Sequence, residues 1–221
     1  MEEVASIKSV ANPISVVQQA FGWMFGGLLL TTIVSFWASS SNQIQLLLGN
    51  SPLVFFGLII VELALVIFLS ARITKITHET AILSFLAYSI LNGITFSVIF
   101  LAYTSSSLAL AFLDAALVFG SMALFGYTTK HDLTTVGSLA MMGLIGVIIA
   151  SLVNLFLKSN MTQIIVSYIT IAVFMGLTAF DSQKIKAMAS IPNAGILGAL
   201  SLYLDFINLF LSILRIIGKR R

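Results

Sequence analysis

The amino-acid sequence predicts an all-α membrane protein, a bundle of seven transmembrane helices. Of its 221 residues, 59% are hydrophobic and only 9% are charged, whereas about one quarter of the residues of a soluble domain are charged. The chain also contains seven long apolar stretches, and a helix that spans a bilayer needs about 20 such residues. A soluble core could not hide this much apolar surface, so lipid must cover much of it.

The seven predicted spans are bounded by short polar segments, which leave no room for a soluble domain. They are too long for strands and do not alternate, and in lipid the backbone must form its hydrogen bonds within each segment. The predicted organisation is an N-terminal tail (1–19), one transmembrane domain (20–217) and a basic tail (218–221). The spans are 20–38, 53–71, 81–103, 108–127, 136–157, 164–180 and 194–217.

The positions of lysine and arginine predict the orientation, because short cytoplasmic loops carry an excess of them. The loops after spans one, three and five hold only Lys158, so the N-terminus is predicted to be cytoplasmic. With seven spans, however, the basic tail lies outside. A re-entrant last segment would place it inside, and hydropathy alone does not decide between the two arrangements. The basic residues on the predicted inner side are Lys8, Arg72, Lys75, Lys130, Lys184 and Lys186.

The last span carries a polar stripe on an otherwise apolar helix. At 100° per residue its members fall within about 80° of one another. Such a stripe needs neighbours along its whole length, so we expect this helix to be central and the stripe to line a polar path; the alternative is a packing face held by side-chain hydrogen bonds. The stripe consists of Ser201, Asp205, Asn208, Ser212 and Arg215.

Other ionisable residues also fall within or beside the spans. Glu62 lies in the middle of the second span, where a charge costs about 2.5–3.5 kcal/mol. It is either a neutral carboxylic acid or a partner of Arg215. Asp181, taken alone, reads as a solvated acid beside lysines, and Asp114 is either buried or at the water surface. The third span presents Ser84, Tyr88, Asn92 and Thr95 on one face, which is typical of a helix contact.

Three motifs closely resemble those of the transmembrane Bax inhibitor motif (Bax inhibitor-1) family, in its short prokaryotic form. They are MGLTAFDSQKIK at 175–186, LYLDFINLFLSILR at 202–215 and FGYTTKHDL at 125–133. The likeness extends over essentially the whole chain. It implies a seven-helix bundle whose last helix is enclosed by the other six, and it therefore favours a spanning last segment.

The resemblance also implies a function, a pH-sensitive calcium leak, which in eukaryotes accompanies suppression of cell death. Asp181 and Asp205 match the family's pH-sensing pair and calcium gate, and Arg72 matches an arginine that latches the first acid. Glu62 with Arg215 would form a second charge pair, whereas Asp114 matches no family acid. The partners implied are the bilayer, calcium ions and protons.

The chemistry of two neighbouring carboxyl groups fits such a gate. They cannot both ionise cheaply, so the pair can hold one proton between them. Without that proton they offer hard oxygen ligands of the kind that calcium takes. We therefore expect a calcium channel or transporter of a prokaryotic inner membrane, without a cofactor and without enzymatic activity.

Other functions remain as alternatives. A regulator that transports nothing but binds another membrane protein, such as a quality-control protease or a channel, is compatible with the family. An intramembrane aspartyl protease would need acids poised for acid–base work on water, but Asp205 lacks glycine-rich surroundings. A proton-coupled carrier would show inverted repeats, and none is visible in the sequence.

The sequence also argues against some ligands. The basic residues form no patch for nucleic acid, and neither a phosphate-binding glycine loop nor a zinc motif is present in the sequence.

Overall fold

The computed structural model describes residues 13–221, which form eight helices. Seven of them are long and apolar enough to cross a membrane, which confirms the predicted number of spans. The exception is the short α2. The helices are α1 (Pro13–Ser40), α2 (Asn42–Asn50), α3 (Pro52–Arg72), α4 (His78–Ala102), α5 (Ser105–Thr128), α6 (Thr134–Leu157), α7 (Asn160–Ala187) and α8 (Ala194–Ile217).

The helices extend beyond the apolar stretches that predicted them. The first extends back to Pro13 instead of beginning at residue 20, and the rest of the predicted N-terminal tail, with Lys8, lies outside the described residues. The sixth span, predicted over 164–180, is a helix of 28 residues because Ser159 caps its first turn by accepting a hydrogen bond from the Thr162 backbone N–H. A span predicted from hydropathy ends at the first polar residues, whereas a capped helix continues through them.

The last helix, α8, lies at the centre of the bundle. In its most apolar stretch 72% of the residues are buried, compared with 6% in α6. It packs mainly against α1, α5 and α7, while α6 packs on the outside of α7. α8 is one unbroken helix of 24 residues, so the re-entrant alternative does not apply.

A close approach between α5 and α7 fixes the helix that carries Asp181. A Cβ atom on Gly126 would lie 1.9 Å from the carbonyl oxygen of Ala179, well inside van der Waals contact. Small residues permit such backbone contacts between membrane helices. Glycine at position 126 therefore allows α7 to lie against α5 just before its last turns.

The start of α8 is tied to the loop between α3 and α4 by Asn193. Its backbone is left-handed (φ 59°), a conformation that asparagine tolerates better than most residues. Its side-chain amide donates to the carbonyl oxygens of Ile73 and Ile76, at 3.0 and 3.1 Å. This clamp fixes the end of the bundle at which α8 begins.

Candidate functional site

A small polar cavity lies near the start of α8, and we call it the proximal cavity. It measures about 210 Å³, and Asp181, on the second-last turn of α7, forms part of its wall. Lys184 is the cation whose charge acts on this carboxylate. The lining residues are Ser70, Asp181, Lys184, Ile185, Met188, Leu197, Gly198 and Ser201.

Asp205 lies deeper, in the middle of the central helix. Its side chain is only 3% exposed, and its neighbours include Thr178 of α7 and the carboxyl group of Asp181, which acts on it electrostatically. Its Oδ2 atom is buried and has no hydrogen-bond partner within residues 13–221. A buried hydrogen-bond acceptor without a partner lowers the stability of the fold, so this oxygen needs a proton or a cation.

Asp181 and Asp205 are thus brought together as the pair that the sequence indicated, whereas Arg72 is not. Arg72 is exposed at the end of α3 and does not line the proximal cavity, which its helix reaches with Ser70. Lys184, and not Arg72, lines the proximal cavity together with Asp181.

A second space, the distal cavity, lies between α6, α7 and the second half of α8. It has two adjoining parts of about 300 and 480 Å³, both lined by Ser151 and Arg215. Asn208 and Ser212 of the α8 stripe line the first part. The stripe therefore faces the proximal cavity at Ser201 and the distal cavity beyond Asn208, with buried Asp205 between them.

Glu62 has partners other than the one considered from sequence. Its side chain is 8% exposed and accepts hydrogen bonds from the Asn92 amide, at 3.0 Å, and from the Thr95 hydroxyl. Arg215 instead lines the distal cavity, so the structure does not bring Glu62 and Arg215 together. The polar face of the third span, here α4, supplies both donors.

The hydrogen bonds continue from Glu62 across the bundle. The hydroxyl of Tyr203 donates to Asn92 Oδ1 at 3.0 Å and lies 2.6 Å from the hydroxyl of Thr31. These five residues, Glu62, Asn92, Thr95, Tyr203 and Thr31, form what we call the Glu62 network. It joins α3, α4, α8 and α1, so its clearest effect is to hold the bundle together.

The loop after α5 contacts the end of α7, so two of the three sequence motifs meet. The Gln183 amide donates to the carbonyl oxygen of His131 at 2.8 Å and accepts from the Leu133 N–H at 2.9 Å. Lys186 donates to the carbonyl oxygen of Tyr127 at 2.8 Å and lies over its ring. These bonds hold the turn of α7 that follows Asp181.

The remaining ionisable candidates lie at the surface. Asp114 is exposed on α5, His78 is exposed at the first residue of α4, and His131 is exposed in the loop after α5. Asp132, before α6, accepts hydrogen bonds from the hydroxyl and the N–H of Thr134 at 2.6 and 2.9 Å. These bonds, the hydroxyl first, lower the pKa of the Asp132 carboxyl below its ordinary value.

Sequence reasoning missed Tyr203, Thr31, Thr178 and Lys184 as parts of these sites. Tyr203 lies two residues before Asp205, off the polar stripe. The one available signal was its hydroxyl in an otherwise apolar part of the helix, because a buried Tyr O–H usually finds a partner. Thr31 is 172 residues away from it, and no local pattern pairs them.

Comparisons with known proteins agree on one family. The family described as "Inhibitor of apoptosis-promoting Bax1" matches residues 14–221. The inner membrane protein YbhL of Escherichia coli K12 is 48% identical over 212 residues, which cover 92% of this chain and 91% of that protein. A membrane protein of Streptococcus pyogenes serotype M1 is 41% identical over 202 residues, 87% of each chain.

Proposed function

Since the chain belongs to the Bax inhibitor-1 family of multi-pass membrane proteins, we propose that it is a pH-sensitive calcium leak channel gated by Asp181 and Asp205. One observation carries the proposal. Asp205 has a buried oxygen without a partner among residues 13–221, beside a second carboxyl group and between the proximal and distal cavities along the central helix.

The gate follows from the charge on the pair. With one proton shared, the two carboxyl groups can stay together, and α7 stays against α8. Without the proton, two negative charges in a poorly solvated site repel each other and attract a divalent cation. Calcium flux therefore rises as the pH rises through the titration of the pair.

Calcium would enter as cargo and not as a resident ion. Calcium takes 6–8 oxygen ligands, whereas the part of the chain that the structure describes contains no group of three or more His, Cys, Asp or Glu residues placed to hold a metal. Two carboxylates, helped by the hydroxyls of Ser201 and Thr178 and by water, suit transient binding. The proposal assigns neither a cofactor nor a catalytic residue.

Arg72 belongs to the proposal as a latch in another state. Its helix already reaches the proximal cavity at Ser70, so a modest movement of α3 would bring the guanidinium toward Asp181. An arginine there would favour the charged carboxylate and tie α3 to α7. The proposal places the N-terminus in the cytoplasm of a bacterial cell, as the basic loops predict.

The test is calcium flux into liposomes that contain the purified protein, measured across a range of pH. The wild type should show a flux that increases with pH, and Asp181→Asn and Asp205→Asn should lose this dependence. Asp114→Asn is the matched control, because it removes an exposed acid of α5 and should behave as the wild type. If both pair variants keep the wild-type rate and pH profile, the proposal is wrong.

A second function, a regulator that binds another membrane protein without transporting ions, is favoured by one observation. The larger part of the distal cavity is lined by Arg215 and Lys158 and, within residues 13–221, by no acidic residue. This positive charge opposes cation entry. Under this proposal, liposomes that contain the protein alone show no calcium flux, while a co-purifying membrane protein changes activity in its presence.

A further inference from the structure

The larger part of the distal cavity is positively charged. Its volume is about 480 Å³, and it lies where α6 ends, α7 begins and α8 approaches its own end. Of the eight described residues that line it, six are polar, two of these are cations, and none is acidic. The polar residues are Ser151, Asn154, Lys158, Asn160, Gln163 and Arg215.

The donors of this cavity are free to bind a ligand. In the portion of the chain with described coordinates, the side chains of Arg215, Lys158 and Gln163 form no hydrogen bond or ion pair with the protein. Asn154 uses its Oδ1 to accept from the Ser159 N–H at 3.1 Å, which leaves its amide N–H groups available. One cavity is thus lined by several side-chain donors that have no acceptor among residues 13–221.

The backbone holds Lys158 in place. It is the C-cap of α6 and adopts a left-handed conformation with φ 49°, which is uncommon for a residue with a long side chain. Its N–H donates to the Asn154 carbonyl oxygen at 2.8 Å. The end of α6 and the start of α7 carry opposite helix dipoles that largely offset each other, so the positive charge comes from Lys158 and Arg215.

From these observations we infer that the distal cavity binds a phosphate group, between the guanidinium of Arg215 and the ammonium of Lys158. The planar arginine fork pairs with two oxygens of a phosphate at once, and lysine adds a point charge. The cavity exceeds the size of a single small ion and accepts a phosphate ester. Both free phosphate and the headgroup of an anionic phospholipid supply this chemistry.

The inference does not rest on calcium transport. It needs only the cavity, its two cations and its unpaired donors. A bound phosphate would also neutralise the charge that opposes a cation at this end of the α8 stripe.

The experiment measures binding by the whole purified protein. In nonionic detergent, inorganic phosphate is titrated at constant ionic strength, and the shift of the thermal unfolding midpoint is followed by tryptophan fluorescence. In a second arm, the protein is placed in bicelles of phosphatidylcholine with or without phosphatidylglycerol, and bound lipid is counted by native mass spectrometry.

The variants are chosen to preserve the fold. Arg215→Gln and Lys158→Asn each remove one cation, and asparagine tolerates the left-handed backbone at position 158. Lys130→Asn and Arg220→Gln are matched controls: the first lies in the loop after α5, and the second is at the same end of the bundle, over the ring of Tyr103.

We expect affinity to fall by about tenfold or more in each cavity variant, because each loses a charged hydrogen bond, and to stay unchanged in both controls. Binding of inorganic phosphate identifies a site for a free oxyanion. Binding of phosphatidylglycerol alone, with the same variant pattern, identifies a lipid headgroup site. The inference is overturned if neither probe binds, or if Arg215→Gln and Lys158→Asn bind as well as the controls.

Discussion

Glu62 and Asp205 are two carboxyl groups buried in one bundle, and the protein treats them differently. Glu62 accepts hydrogen bonds from Asn92 and Thr95 and belongs to a network that joins four helices. Asp205 is more deeply buried, yet one of its oxygens has no partner among residues 13–221. A buried acid whose oxygens all accept hydrogen bonds stabilises the fold. A buried acid that lacks a donor and lies beside a second acid needs a proton or a cation. Burial alone does not mark the functional acid.

The comparison predicts that stability falls in only one of the two variants in which an acid is replaced by its amide. Glu62→Gln presents an NH₂ group to donors that need an acceptor, so the free energy of unfolding should fall by about 1 kcal/mol. Asp205→Asn removes a charge from a buried site and should leave the stability unchanged or higher. Equilibrium unfolding of both variants in bicelles checks this. An equal loss in the two variants would remove the distinction between the acids.

A smaller effect is expected from Tyr203→Phe, which tests whether the Glu62 network is structural. The variant loses the hydroxyl that bonds Asn92 and Thr31 but keeps the ring contacts with Phe85 and Tyr88. Unfolding in the same bicelles should show a loss of about 0.6 kcal/mol, the average for such bonds in membranes. Its calcium flux should keep the wild-type pH profile; a changed profile would place the network in the gate.

The smallest effect concerns Asp132, a carboxyl group at the water surface. Because its pKa is lowered in the folded protein, it contributes stability above its unfolded pKa, and this contribution is lost as the pH falls through the folded pKa. Thr134→Val removes the main cause and should raise the pKa of Asp132 toward its ordinary value. Carbon NMR titration of labelled aspartate checks this, with Thr135→Val as the control that should leave the pKa unchanged.

The sequence predicted what depends on long apolar runs and on helical periodicity. The seven spans, the central last helix and the polar residues that share one side of α8 all follow from such patterns. The short α2 did not, because Gln43 and Gln45 interrupt a run already too short to span. Helix ends were misplaced where capping residues such as Ser159 extend a helix into polar sequence.

The candidate site was predictable where one helix or one motif carried it, and less so where partners come from distant helices. Asp181 and Asp205 were named from the motifs, and the structure places them together. The partners of Glu62 were described only as a contact face of the third span, while Arg215 was considered instead. Arginine side chains are long and flexible, so neither the position of Arg72 nor that of Arg215 follows from sequence spacing.

Infrared difference spectroscopy of the protein in lipid addresses the difference between the two acids most directly. As the pH is raised, the wild type should lose a protonated-carboxyl C=O band, and Asp205→Asn should lack this band. Glu62→Gln should retain it. If the titrating band persists in Asp205→Asn and disappears in Glu62→Gln, the proton resides on the hydrogen-bonded acid, and the gate does not lie at Asp205.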